Sequence, residues 1–426
     1  MNHSIKNISV VCLFVIGGAG LAFLTQVLTA RVLGPHEYGI FVAAFTAINI
    51  ISPLAGFGLQ GFWLKVFGCE GWQAMRWIRP TFLFCVTSTL TTMLGVAIWA
   101  VISMGIEDPV AGCILILSIT LLSTASAEIV ATRFLLEERA VPLMSWQIMP
   151  QVMRFLLVVW VLMTARLSDA MTFAWMYAVV GGVLAIAGIP HIVSVASGGM
   201  NIVGHRNTAT GVAVTPPTVS EVASGAWAFG LGNFFFLIYF QSAIIFVSHY
   251  LGPEATAGLG VAVSLLAALY LLPTAIYQKL LMPRFHRWAY QSPDALRAAY
   301  RDGNRYMLGL GIVAAIAVAV SAPYLVPLLF GSEYSMAAKI LAWLAPCIPM
   351  RLVSTSAGAI LSTGDRMRSK IRIMAIVAGV NLLLNYLLIG IAGINGAILA
   401  AVVTEALLVG LYIRAANRFL CHGFQA

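Results

Sequence analysis

The chain has 426 residues, 61% hydrophobic and only 9% charged, with a mean hydropathy of +0.94. An ordinary soluble domain carries roughly 25% charged residues, so a chain this apolar could not cover its own surface in water and belongs in lipid. The net charge of +9 then predicts loop cations gathered on one membrane face, not a nucleic-acid partner.

The first apolar run, 8–29, follows Lys6. It is longer than the ~7–15-residue apolar stretch of a signal peptide, and further runs follow at once, so it reads as the first span. Runs at 37–60, 80–103, 110–131, 144–165 and 171–195 are each long enough to cross a ~30 Å core as helix. Segment 196–222, with Gly198, Gly199, Gly204, Gly211, Pro216 and Pro217, reads as a cytoplasmic linker. Runs at 223–248, 254–277, 305–329, 338–361, 371–390 and 394–413 complete the pattern. The expectation is an all-α integral membrane fold of about 12 transmembrane helices. They form two six-helix lobes, 1–195 and 223–413, ahead of a cytoplasmic tail, 414–426.

Charge sets the orientation. With the N-terminus inside, 19 of the 24 Lys and Arg fall in cytoplasmic segments. The acids Glu37, Glu107, Asp108, Asp169, Glu254 and Glu333 fall outside. One missed or extra span would scramble this asymmetry, so an N-in, C-in arrangement is predicted. Cys12, Cys69, Cys85, Cys113, Cys347 and Cys421 are scattered, with no metal-ligand spacing, and read as free thiols. No cofactor or metal is expected.

The halves resemble each other. "RVLGPHEYG" (31–39) ends the first span and opens the second, and "HYLGPEATAG" (249–258) does the same for spans seven and eight. In both, Gly-Pro stops one helix and Pro fits the first turn of the next. Further on, 137–159 runs parallel to 364–386, setting Arg154 opposite Asn381. The offsets are 218 and 227 residues, each close to half the chain. Repeats of equal topology predict a pseudo-twofold axis along the membrane normal and a site between the lobes.

These residues also carry a resemblance. "AR-LGP-EYGIF" (30–41), "LAGFGL" (54–59), "LGPEATAG" (251–258), "LMPRF" (281–285), "LFGSEY" (329–334), "LSTGDRMRSK" (361–370), "NLLLN" (381–385) and "AGINGAILAAVVTEAL" (392–407) occur in this order. Together they resemble the polysaccharide transporter family. These are the O-antigen and exopolysaccharide flippases of the multidrug/oligosaccharidyl-lipid/polysaccharide exporter superfamily. The resemblance implies transport of a polyprenyl-diphosphate-linked oligosaccharide from the cytoplasmic to the outer leaflet of a bacterial inner membrane. Such a carrier is not an enzyme. Its partners would be the lipid-linked oligosaccharide, membrane lipids, a coupling H+ or Na+ and other polysaccharide-assembly membrane proteins. One departure is Gln241, standing in span seven where the family often has an acid.

Charge within a span is costly: Arg at mid-depth costs roughly 2.5–3.5 kcal/mol on insertion scales. Arg154 and Arg351 both sit near mid-span and should face protein or a water-filled cavity. One reading has both holding the diphosphate, since a guanidinium fork matches phosphate oxygens. The other has them in structural pairs with Glu405 or Glu128. Arg31 is either an outer interfacial anchor or a contact near the exit. Glu405 and Glu128 are the ion-coupling candidates, with helix pairing and partial hydration as the ordinary alternatives. Gln26, Asn49, Asn233, Gln241, Asn381 and Asn385 offer the amides of a sugar-lined path, or hydrogen bonds between helices. Asn381 and Asn385, four apart, share one helix face.

Neither HExxH nor GxSxG occurs, and short outer turns leave no room for a catalytic domain. Three alternatives stand beside the flippase: an ion-coupled multidrug exporter of the same superfamily, a polytopic glycosyltransferase or polymerase, and a membrane scaffold. The first predicts an apolar or acidic cavity in place of a cationic one.

Overall fold

The computed structural model describes residues 2–164, 169–202, 216–362 and 367–422. Among them no strand occurs. The helices are α1 (Asn2–Ile51), α2 (Leu59–Glu70), α3 (Ile78–Met104), α4 (Pro109–Leu117), α5 (Thr120–Leu136), α6 (Ala140–Thr164), α7 (Ala170–Ala196) and α8 (Val219–Leu251). They continue as α9 (Pro253–Ala275), α10 (Met282–Gln291), α11 (Pro293–Phe330), α12 (Ser335–Leu344), α13 (Cys347–Ile360), α14 (Met367–Ala392) and α15 (Ile394–His422). Arg166, Arg206, Arg366 and residues 203–215 of the expected linker lie outside the described residues.

This is a multi-pass membrane protein. Helices close every backbone hydrogen bond within themselves, as hydrocarbon requires. Their outer faces stay apolar: Leu83, Leu90 and Leu94 on α3 and Leu308, Ile312, Ile316 and Val320 on α11 are exposed at helical spacing. Among the described residues, nine helical stretches are long and apolar enough to cross a membrane, or ten with the bent pair α12–α13 taken as one. The first stretch, Ile16–Met104, covers 89 residues, far more than the ~20 of one crossing.

Breaks in the helices follow the sequence. Within α1, Gly34 takes φ 69° and ψ 171°, a left-handed φ that Gly adopts without strain, and Pro35 starts the next turn. The α12–α13 pair bends by 56° beside Pro346 and Pro349. A π-turn at Ile276–Leu281, between Pro273 and Pro283, joins α9 to α10.

By contacts the chain divides into unit 1 (Met1–Val32 and Ala47–Phe234) and unit 2 (Leu33–Thr46 and Phe235–Ala426). Unit 1 has a core of Leu59, Phe62, Trp63, Phe67, Ile78, Cys85 and Ile129. A second cluster, around Val130, Phe134, Leu143 and Met144, ties α5 to α6. Unit 2 is built around Tyr239, Tyr277, Phe285, Leu296, Ile360, Val377, Leu408, Tyr412 and Phe419.

Segment 33–46 belongs with unit 2 because it packs on α9. A Cβ on Gly39 would strike the Pro253 carbonyl, and one on Gly260 would come within 3.1 Å of Val42. At the start of this contact His36 Nδ1 lies 2.9 Å from Glu254 Oε1. These are equivalent positions in the two "LGP" repeats, 218 residues apart. Duplicated helix starts therefore meet face to face, with glycine at the point of closest approach.

Candidate functional site

Two intramembrane clusters, one in each unit, hold five of the sequence-predicted polar residues: Arg154 in the first, and Arg351, Glu405, Asn381 and Asn385 in the second. In unit 1, Arg154 is the sole charged residue of α6, about ten residues from its C-terminal end. Its guanidinium lies over the Tyr177 ring of α7, 4.5 Å from the centroid. Arg154 is half-buried, whereas Tyr177 is buried. A cation on an aromatic face gains from the ring quadrupole, so α7 offsets part of the cost of holding charge at this depth.

In unit 2, Arg351 of α13 is buried, with Nη1 3.5 Å from Glu405 Oε1 of α15. Tyr239 on α8 donates its hydroxyl to the same Oε1 at 3.2 Å. The rings of Phe236, Tyr239, Phe240 and Tyr270 surround the guanidinium at 4.8, 5.3, 5.2 and 5.5 Å. Of the two partners the sequence offered Arg351, the structure supplies Glu405. The aromatic box was not singled out in the sequence. Its signal was the run "FFFLIYF" (234–240), which sets Phe236, Tyr239 and Phe240 on one helix face.

Beside this pair runs an amide ladder. Asn381 Oδ1 accepts from Ser242 Oγ at 2.8 Å and from Asn385 Nδ2 at 2.8 Å, and Asn381 Nδ2 donates to Thr404 Oγ1 at 3.2 Å. The ladder joins α8, α14 and α15. Interhelical hydrogen bonds, the ordinary reading of these amides, are what the geometry shows for Asn381.

The repeats explain why the clusters occupy these places. The 227-residue offset that sets Arg154 opposite Asn381 also carries Tyr177 onto Thr404. The α6–α7 contact through Arg154 and Tyr177 therefore recurs between α14 and α15 as Asn381 and Thr404. One copy carries a cation on a ring, the other a neutral hydrogen bond.

The remaining predicted residues are dispersed. Arg31 and Asn233 are exposed, whereas Gln26, Asn49 and Gln241 are half-buried. Glu128 on α5 points Oε2 toward the turn at Gly56, where a Cβ would lie 3.1 Å away. Among the described residues, Glu128 Oε2, Glu405 Oε2, Asn385 Oδ1 and Gln241 Oε1 are buried acceptors with no hydrogen-bond donor. No group of three or more metal-ligating side chains occurs among the described residues.

With that geometry in place, comparison with known proteins decides the family. The profile described as "Polysaccharide biosynthesis protein" matches residues 4–288, more than half the chain. The chain belongs to this polysaccharide biosynthesis protein family. A second profile, MatE, matches residues 228–387 of this family member. None of the curated proteins matches its sequence.

Solved structures give the fold. A structure titled "Lipid II flippase MurJ, inward closed conformation" is similar with a TM-score of 0.72 and 10% identity, over 96% of this chain and 87% of the other. An inward-facing multidrug resistance MATE family transporter of the MOP superfamily gives 0.66 and 11%, over 96% of each chain. A MOP superfamily transporter from Pyrococcus furiosus, titled for the reversed polarity of its binding pocket, gives 0.59 and 14%, over 97% and 95%. At such identities the likeness concerns fold alone. It places the family member among all-α membrane folds of this architecture.

Proposed function

We propose that this protein is a flippase. It moves a polyprenyl-diphosphate-linked oligosaccharide from the cytoplasmic to the outer leaflet of a bacterial inner membrane for polysaccharide biosynthesis. About twelve spans, N-in and C-in, alternate access to a cationic cavity. The observation that carries this reading is Arg154, a guanidinium placed at mid-depth in an otherwise uncharged helix of a polysaccharide biosynthesis protein. Fixed cations at depth offset the cost of taking a diphosphate out of water, while the polyprenyl tail stays in lipid.

In this reading Arg154 is the principal headgroup contact. Arg351 is a second contact, engaged when its bond to Glu405 opens. Asn381, Asn385, Gln241, Gln26, Asn49 and Asn233 supply amides to the sugar, and Arg31 supplies a contact near the exit. Glu405 and Glu128, each with a buried acceptor oxygen lacking a donor, are the sites for a coupling H+ or Na+. No catalytic step is assigned.

A fluorescent lipid-diphosphate-oligosaccharide flipped by reconstituted vesicles tests the reading. Wild type should flip it. The Arg154→Ala, Arg351→Ala double variant should not, although it still inserts. Normal flipping by the double variant would remove the cation role. Efflux of cationic dyes with no glycan flipping would favour the MATE-like reading, which the MatE match and the MATE structural likeness keep as the second choice.

A further inference from the structure

One end of unit 2 concentrates arginine that transport, as proposed above, does not use. α10 lies between the π-turn and α11, fixed by Phe285, which is buried 6.1 Å from the Tyr277 ring and 6.1 Å from that of Trp288. With that face turned into the core, Arg284 and Arg287, three residues apart, are exposed on the other flank. The same core joins Leu296 and Tyr300 of α11 to Ala416, Phe419 and Leu420 of α15. Arg297 ties these two helices, donating Nε and Nη2 to the Leu420 carbonyl at 3.0 and 2.7 Å. At the start of α14, Lys370 Nζ donates to Ser362 Oγ, just past α13, at 2.8 Å.

Four helices therefore converge here, and each exposes arginine where its apolar run meets polar sequence. These are Arg305 on α11, Arg368 and Arg372 on α14, and Arg414 and Arg418 on α15, besides the pair on α10. The acids described at this end, Asp294 and Asp302, lie against Arg297 at 3.1 Å and Arg301 at 3.5 Å. The boundary between apolar helix and polar sequence is the depth of lipid phosphates. A purely topogenic role would act only during insertion and leave the finished protein indifferent to the headgroups around it.

We propose that this end of unit 2, with α10 as an in-plane foot, is a binding surface for anionic phospholipid headgroups. Guanidinium forks pair with phosphate oxygens, and the dispersed anchors around four helix ends suit several lipids better than one peptide. Bound lipid would pin α10 and the ends of α11, α14 and α15 together in the finished protein.

The test uses the full chain in nanodiscs of phosphatidylcholine, with or without phosphatidylglycerol. Thermal unfolding and mass spectrometry of retained lipid are the two readouts. Phosphatidylglycerol should raise the midpoint and be retained through purification, and high salt should remove both effects. Arg284→Gln with Arg287→Gln should lose at least half of the gain. Equal midpoints in both lipids, an undiminished gain in the double variant, or the same gain from inorganic phosphate alone would each overturn the proposal. If the variant does not insert, lipid retention and salt dependence of the wild type decide alone. No readout involves transport, so failure here leaves the flippase reading untouched, and the reverse holds too.

Discussion

Each intramembrane arginine is held in its own way, and the difference predicts different outcomes on substitution. Arg351 and Glu405 are a buried pair inside an aromatic box. Removing one member strands the other charge, so Arg351→Ala or Glu405→Ala alone should lower unfolding stability by about 3–5 kcal/mol. Arg351→Met with Glu405→Leu should recover most of that loss, as measured by thermal unfolding in detergent. Arg154 lies half-buried over a ring face, and in the proposed reading it meets the headgroup. Arg154→Ala should therefore cost transport more than stability. Loss of a charge-assisted hydrogen bond, about 1.5–3 kcal/mol, predicts a flipping rate about tenfold to a hundredfold lower. Arg154→Lys should keep part of it, because a point charge replaces a fork. The sequence made both arginines conspicuous, since charge in an apolar run needs a reason. It did not choose between carboxylate partners, because a distance across helices leaves no trace in local spacing.

At the scale of the element, the informative features are helix starts and close contacts. Asp169 caps α7, its Oδ1 accepting from the Thr172 N–H at 2.8 Å. The Thr172 hydroxyl first, and that N–H second, hold the carboxyl below its usual range. A carboxyl depressed in the folded state stabilises above its unfolded value and loses that contribution as pH falls through its folded value. Asp169→Asn should blunt this acid-side loss at the start of α7, and hydrogen exchange of the first-turn amides on acidification would show it. Asp169→Ala should weaken the α7 start by about 1 kcal/mol. Gly39 is the sharper case, because a Cβ there strikes the Pro253 carbonyl. Gly39→Ala should cost about 1–3 kcal/mol as the two helix starts are forced apart, and thermal unfolding would register it. The repeated Gly-Pro turns were legible from the sequence. That the two copies touch was not, because the duplication shows equivalence and says nothing of adjacency.

For the molecule as a whole, hydropathy and repeats carried the fold class, and the polysaccharide biosynthesis profile over residues 4–288 agrees with the family resemblance. Membrane folds are legible at this scale because one rule, no unpaired backbone in lipid, removes most alternatives. The break at Gly34 was legible from its Gly-Pro pair, whereas the bend beside Pro346 was not, since 338–361 reads as one apolar run. The placement of 33–46 with unit 2 was not, since the apolar run at 37–60 gives no sign that its first part packs on residues more than two hundred positions later. That placement bears on biosynthesis. The ribosome releases Gly39 long before Pro253, so the glycine face of α1 must wait uncovered in the insertion machinery until more than half of the chain has been made. A polypeptide stopping at residue 202 should accordingly be digested readily around 33–46. Co-expression with a second piece starting at 216 should protect that stretch, as two halves of a clasp are useless apart.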